Sequence, residues 1–263
     1  MKPTSLALAV LTFGLAMLVP TRTNAAILAT FNVSGSQVAL SSTGLDFQCT
    51  PAIPNAPCPG PAGTGNISVS TPTGDMAAYA NEAGYIKDLM FSSGLNVPLL
   101  LSDFLTFSGG PVGSPAFEFD LGFINLGIYS PAACGAAPAP GQTCTPAYAT
   151  LVSPADPLGL SPLNFVNTIN GSTVSFTMSG TRRNLLDGTT ASFTAEFTAQ
   201  SNLAYQTVLA SLANGGSYST TFNGTVTVTG ADAVVPEPAT SVLLGSGLAL
   251  TAFIRRRADR TRN

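Results

Sequence analysis

Short runs of alternating apolar and polar residues fill most of this chain. A period of two is the signature of a half-buried β-strand. "ILATFNVSG" places Ala29, Phe31 and Val33 on one face and Thr30, Asn32 and Ser34 on the other. "GNISVS" repeats the pattern with Ile67 and Val69. "GYIKDLMF" and "LLLSDFLTF" are more apolar, which predicts more deeply buried strands. "AFEFDLGFINLGIY" sets Phe117, Phe119 and Leu121 inward and Glu118 and Asp120 outward, with Gly122 and Gly127 suited to bends or bulges. The carboxyl half alternates most cleanly. "STVSFTMSG" offers Val174, Phe176 and Met178, and "TTASFTAEFTAQ" offers Ala191, Phe193, Ala195, Phe197 and Ala199. Between them "TRRNLLDG" reads as a hairpin connection, its Asp187-Gly188 suited to positive φ. "SYSTTFNGTVTVTG" puts Tyr218, Thr220, Phe222, Gly224, Val226 and Val228 on one face.

One segment changes period. In "SNLAYQTVLASLANGG", Ala204, Val208 and Leu212 recur every four residues, joined by Tyr205 and Leu209. Ser201 or Asn202 is placed to cap this helix, and Gly215-Gly216 to end it. Stretches 41–64 and 130–160 show no strand pattern and read as long loops. The pattern predicts an all-β fold: an antiparallel β-sandwich or jelly-roll-like ectodomain with one packed α-helix.

The two ends follow other rules. Lys2, the apolar run Leu6–Val19 and the small-residue stretch ending Thr23-Asn24-Ala25 have the layout of a secretory signal peptide, with cleavage expected after Ala25. An uncleaved membrane helix is the alternative, but 14 apolar residues are short for a span. At the other end, Ala239–Ile254 carries no charge and Arg255, Arg256, Arg257, Arg260 and Arg262 follow at once. As a helix the run spans about 24 Å, so it predicts a marginal transmembrane helix, with the arginines as a cytoplasmic stop-transfer signal. The domain division is therefore 1–25 signal helix, 26–233 ectodomain, and 234–263 tail.

Export changes how the cysteines are read. Cys49 and Cys58 form one local pair, Cys134 and Cys144 another. Three pairings are possible; two local disulfides are the economical one in an oxidising compartment. Each would close a Pro/Ala/Gly-rich loop and contribute roughly 2.5–3 kcal/mol by loop-closure entropy. A metal site is the alternative, but the spacing is too wide for a knuckle and the chain has no His.

Composition restricts the chemistry. Without His, Ser-His-Asp and Cys-His machinery are excluded. The ectodomain holds three cations, Lys87, Arg182 and Arg183, against eleven carboxylates. This acidity argues against a nucleic-acid partner. Glu118 and Asp120 are neighbours on one strand face, a spacing that glycoside hydrolysis tolerates, although any outward strand face with two acids satisfies it. Asp75, Glu82 and Asp88 are candidate Ca²⁺ ligands without EF-hand spacing; solvated acids around turns are the simpler reading. Arg182 and Arg183, at the expected hairpin tip, are an exposed pair that keeps the tip soluble or grips an acidic glycan. Tyr79, Tyr85, Tyr129 and Tyr148 are the candidate aromatics for a sugar platform. No cofactor, no metal and no catalytic residue is expected, and the body reads as a non-enzyme.

The remaining feature is Val235-Pro236-Glu237-Pro238, just upstream of the apolar run. Two prolines keep it extended, the form a processing enzyme can bind. This motif, followed by an apolar helix and an arginine cluster, resembles the PEP-CTERM sorting signal of Gram-negative bacteria. The resemblance covers about 30 of 263 residues. It implies exosortase, a membrane sorting enzyme, as partner. It also implies transient anchoring in the inner membrane, then delivery to the cell surface or exterior, often alongside exopolysaccharide. The ectodomain more loosely resembles the Ser/Thr/Gly-rich bodies that carry this tail. The expected role is structural or adhesive in an extracellular matrix, with a carbohydrate-binding module, and then a glycan-active enzyme, as the alternatives.

Overall fold

The computed structural model describes residues 26–50, 58, 60–91, 98–107, 116–147 and 159–230. The expected signal peptide (1–25), Val235 to Pro238, the expected transmembrane run 239–254, the arginine cluster and Tyr148 lie outside them. Twelve strands are hydrogen-bonded into one antiparallel sheet. In chain order they are β1 (Ile27–Ser41), β2 (Gly44–Gln48), β3 (Thr64–Ser70), β4 (Ala83–Lys87), β5 (Leu89–Met90) and β6 (Leu101–Phe107). Then follow β7 (Phe117–Ile124), β8 (Thr143–Cys144), β9 (Asn164–Thr168), β10 (Gly171–Asn184), β11 (Thr190–Ser201) and β12 (Ser217–Thr229). The one α-helix among the described residues, α1 (Tyr205–Ala213), joins β11 to β12.

The all-β class with one helix is as the sequence predicts. The sandwich is corrected. Eight strands run β1-β3-β4-β6-β7-β10-β11-β12, and β12 pairs back onto β1, so the ladder closes into a barrel. Each neighbour in the ring is also the next of these eight in sequence, an up-and-down order. Closure leaves no free edge among them, which two stacked sheets would leave. Period two fixes which side chains face inward, and it is the same for a sandwich and a barrel.

Two long strands give the barrel its shape. One edge of β1 pairs with β3 through Asn32–Gly35 and then with β2 through Gln37–Leu40. One edge of β10 pairs with β7 through Met178–Asn184 and with β9 through Gly171–Ser175. The ring is therefore closed where β1 starts and β12 finishes. At the far end β2 and β9 diverge from it. Both expected long loops contain structure: 41–64 holds β2, and 130–160 holds β8 and a short 3₁₀ turn, Pro131–Ala133.

The closed part is filled by interlocking rings. Phe31 meets Phe107 and Phe119 edge to face, with centroids 5.9 and 5.6 Å apart, and Phe119 meets Phe193 at 5.4 Å. Burying each ring contributes about 2–3 kcal/mol, and each edge-to-face pair about 0.5–1.5 kcal/mol more. β11 alternates without fault, Ala and Phe inward, Thr and Glu outward. Gly122 falls where β7 shifts register against β10, the bulge its residue type predicts. Gly35 is required by contact: a Cβ there would lie 2.0 Å from the Phe222 ring.

Candidate functional site

The closed end is plugged by a 3₁₀ turn, Gly74–Tyr79, which buries Met76 and Tyr79. Tyr79 packs on Phe107 and Phe117. Burial, and then Glu82, push its phenol above the ordinary range. Tyr79 is thus a core residue, not part of a sugar platform; Tyr85 and Tyr129 are each half-buried.

The arginine pair is also corrected. Both residues lie within β10, and they point to opposite faces. Arg182 faces inward, 4% exposed, ion-paired with Asp75 and lying 4.4 Å from the centre of the Phe117 ring. Arg183 faces outward and pairs with Glu118, its direct neighbour across the β7–β10 ladder. The turn beyond them behaves as its sequence predicts, with Gly188 at φ 74°. The Thr189 hydroxyl and N–H donate to Asp187 and hold its carboxyl below the usual range.

Contacts of this kind also engage four of the five candidate acids. Glu118 is neutralised by Arg183, and Asp120 accepts the Asp103 N–H at 2.8 Å. Neither lines the cavity or the depression described below. Asp75 is held by Arg182. Asp88 lies elsewhere and accepts the Phe47 N–H at 2.8 Å. Among the described residues no three metal-ligating side chains come together.

Burial, outweighing the Phe47 hydrogen bond, raises the Asp88 carboxyl above its ordinary value, and Asp46 adds to the rise. The folded form therefore holds this proton more tightly than the unfolded chain. That contribution is present below the unfolded value and is lost as pH rises through the folded one. Asn at this position keeps an oxygen for the Phe47 N–H. Asp88→Asn should thus be at least as stable as the parent near neutral pH, and should lack its share of the decline that begins as pH rises through the ordinary carboxylate value. Urea melts at intervals across that range measure the difference; identical slopes would remove the claim.

Both cysteine pairs close locally. Cys49 bonds Cys58 and Cys134 bonds Cys144, with Cα atoms 5.7 and 5.2 Å apart. The stretch after Cys49 is further held by Asn66, a buried side chain whose amide spans Thr50, donating to its carbonyl at 2.6 Å and accepting its N–H at 3.0 Å.

The second pair braces α1. Tyr205 begins the helix, and its N–H is met by Asn167 Oδ1 of β9 at 2.9 Å, the capping role expected of Ser201 or Asn202. Gln206 donates to Gln142 Oε1 at 3.0 Å and accepts from Asn167 at 3.0 Å. The Tyr205 hydroxyl donates to Ala133 O at 3.0 Å. Ala133 immediately precedes the disulfide loop and Gln142 lies inside it, so the staple holds the partners that position the helix.

Under α1 lies a feature that the pattern of inward residues does not disclose. Where β2 and β9 diverge, the walls leave an apolar cavity of about 20 Å³, measured as room for the centre of a water-sized sphere. Leu45 and Phe47 of β2, Phe165 of β9, Val174 of β10, Ala199 of β11 and Val208 of α1 contribute to its lining, and no lining residue is charged. Alternation identifies these positions as inward. The gap arises from how far the strands spread, which alternation does not encode. A broader, polar depression lies between Pro138–Pro140 and the β9–β10 turn; it has no aromatic ring on which a sugar could stack.

Comparison with family models, with curated proteins and with solved structures finds no match to this chain.

Proposed function

We propose that this protein is exported across the inner membrane and sorted through residues 234–263 by exosortase. Its barrel would then serve a structural or adhesive role in the extracellular, exopolysaccharide-bearing matrix. The observation that carries the reading is the pair of local disulfides, which persist in oxidising compartments. The three-part order of the tail supplies the route. The body suits such a role: the acids near its strands are held by arginines and backbone N–H groups rather than gathered around a cleft.

Replacing Pro236-Glu237-Pro238 with three alanines should leave full-length protein in the inner membrane, while the parent appears trimmed at the surface or in the medium. Fractionation followed by intact-mass measurement reads the outcome. A triple variant that still arrives trimmed would show that this motif is not the signal.

A further inference from the structure

Both ends of the barrel's chain leave from one rim. Ile27, the first residue of β1, pairs with Thr229, the last of β12. Thr229 also pairs with Ser192, close to the β10–β11 turn. Two apolar pairs are exposed on this rim. Ile27, 66% exposed, and Leu28 stand at the start of β1, where the Leu28 side chain lies beside Gly230. Leu185 and Leu186, the latter 70% exposed, lie in the turn. β10, β11, β12 and β1 are consecutive in the ring, and neighbouring strands are about 4.8 Å apart, which sets the two pairs about 10–15 Å from each other.

We propose that this rim is a membrane-contact surface. While the chain is held by its tail, Ile27, Leu28, Leu185 and Leu186 rest in the head-group layer of a zwitterionic bilayer. The inference rests on the reading of 239–254 as a membrane run, and adds which face of the barrel meets the lipid.

Tether length selects the rim. Residues 231–238 join Gly230 to that run, and a stretch of about eight residues reaches at most about 26–29 Å. β12 has 13 residues. That is about 43 Å along the strand, and about 30–35 Å along a barrel axis at ordinary tilt. The opposite rim is thus farther from Gly230 than the tether is long, and turning the barrel over does not bring it to the bilayer. Exposure alone does not choose. Ile169, 86% exposed, sits in the β9–β10 turn on the opposite rim.

Charge selects the lipid. Leucine and isoleucine side chains enter the boundary between head groups and acyl chains at a gain that scales with apolar area. Glu82, just before β4, and Asp187 place negative charge on the same rim. The arginines nearby do not offset it: Arg182 is buried and paired with Asp75, and Arg183 is paired with Glu118. An anionic surface repels this rim and a zwitterionic one does not.

Fluorescence quenching in vesicles tests the contact. The cysteines are all in disulfides, so one introduced cysteine takes one fluorophore. The exported chain, made in a host that lacks exosortase so that its tail is retained, is reconstituted into phosphatidylcholine vesicles carrying a head-group nitroxide. A label at Leu186→Cys should be quenched at least about threefold more than one at Ile169→Cys. Adding Ile27→Ser and Leu185→Ser, both at exposed positions, should roughly halve the Leu186 signal and leave the melting curve unchanged. Anionic lipid should weaken that signal. Equal quenching at the two rims, or a Leu186 signal undiminished by the serines, overturns the proposal. A signal strengthened by anionic lipid does so too, as does one that fades when protein density rises, which would assign the rim to a second copy of the chain. A label at Ser246→Cys reports the tail itself. If it escapes quenching by nitroxides carried on the acyl chains, the reading of the tail as a membrane run fails, and the contact fails with it; if it is quenched and Leu186 is not, the contact alone fails.

Discussion

Asp75→Ala should destabilise the barrel by about 2–4 kcal/mol, a fall of about 5–15 °C in melting temperature for a domain of this size. The Arg182 side chain is 5% exposed and that of Asp75 is 35% exposed. The guanidinium has little access to water, and its Nε is already without a hydrogen-bond partner among the described residues. Removing Asp75 leaves a buried cation with the Phe117 ring as its chief compensation. A fully buried pair broken this way costs roughly 3–5 kcal/mol, and the exposure of Asp75 places this one lower. The converse change should be milder. Arg182→Met keeps apolar bulk over Phe117 and leaves a carboxylate that water can reach. The double variant, Asp75→Ala with Arg182→Met, should recover most of the loss. Urea titrations of the three variants decide it; Arg182→Met proving the costlier single change would contradict the account.

Phe119→Ala should be comparably severe, at about 3–5 kcal/mol. Phe119 is fully buried and touches Phe31, Phe107 and Phe193, with centroids 5.4 to 5.8 Å away. Strands surround it in a closed ring, so the walls have little freedom to collapse into the space left behind. Phe176→Ala makes the comparison. That ring stacks on Phe197 at 5.5 Å but also borders the existing cavity, so one side has fewer atoms to lose. Its cost should be lower, at about 2–3 kcal/mol. Equal losses in the two variants would mean that the cavity end is packed as tightly as the closed end.

The inward residues of β1, β7, β10, β11 and β12 are legible in the sequence because side-chain alternation is a local property. What those strands pair with is not. β1 and β12 are neighbours in the ring and lie at opposite ends of the barrel sequence, so no local pattern joins them. β2 and β9 are five residues each; β2 falls inside the stretch read as a long loop, and β9 follows the other stretch without a pattern long enough to mark it. Arg182 shows how context overrides residue type. Alternation continues from Met178 through Gly180 to position 182, which indicates an inward site, while an arginine near a turn indicates solvent. The acid that reconciles the two, Asp75, lies in a distant turn. Glu118 and Asp120 were legible as residues on a strand, and Asp75 and Asp88 as acids near turns, but their engagement by Arg183, Arg182 and backbone N–H groups depends on contacts between elements distant in sequence. The disulfides were among the pairings that spacing allowed, and geometry selects them.

The pairing of Ile27 with Thr229 also sets a timetable. The first strand's partner is the last one made, so a growing or threading chain has no complete barrel until β12 arrives. Before then β1 presents an open edge, and contacts of such sequence separation form slowly, in milliseconds to seconds. A protein that cannot close early remains a flexible thread for longer. That property suits passage through a narrow translocation channel. It carries a matching hazard, since an unfinished barrel can pair with another chain's edge. Truncation before Ser217 should therefore yield aggregates rather than a smaller barrel.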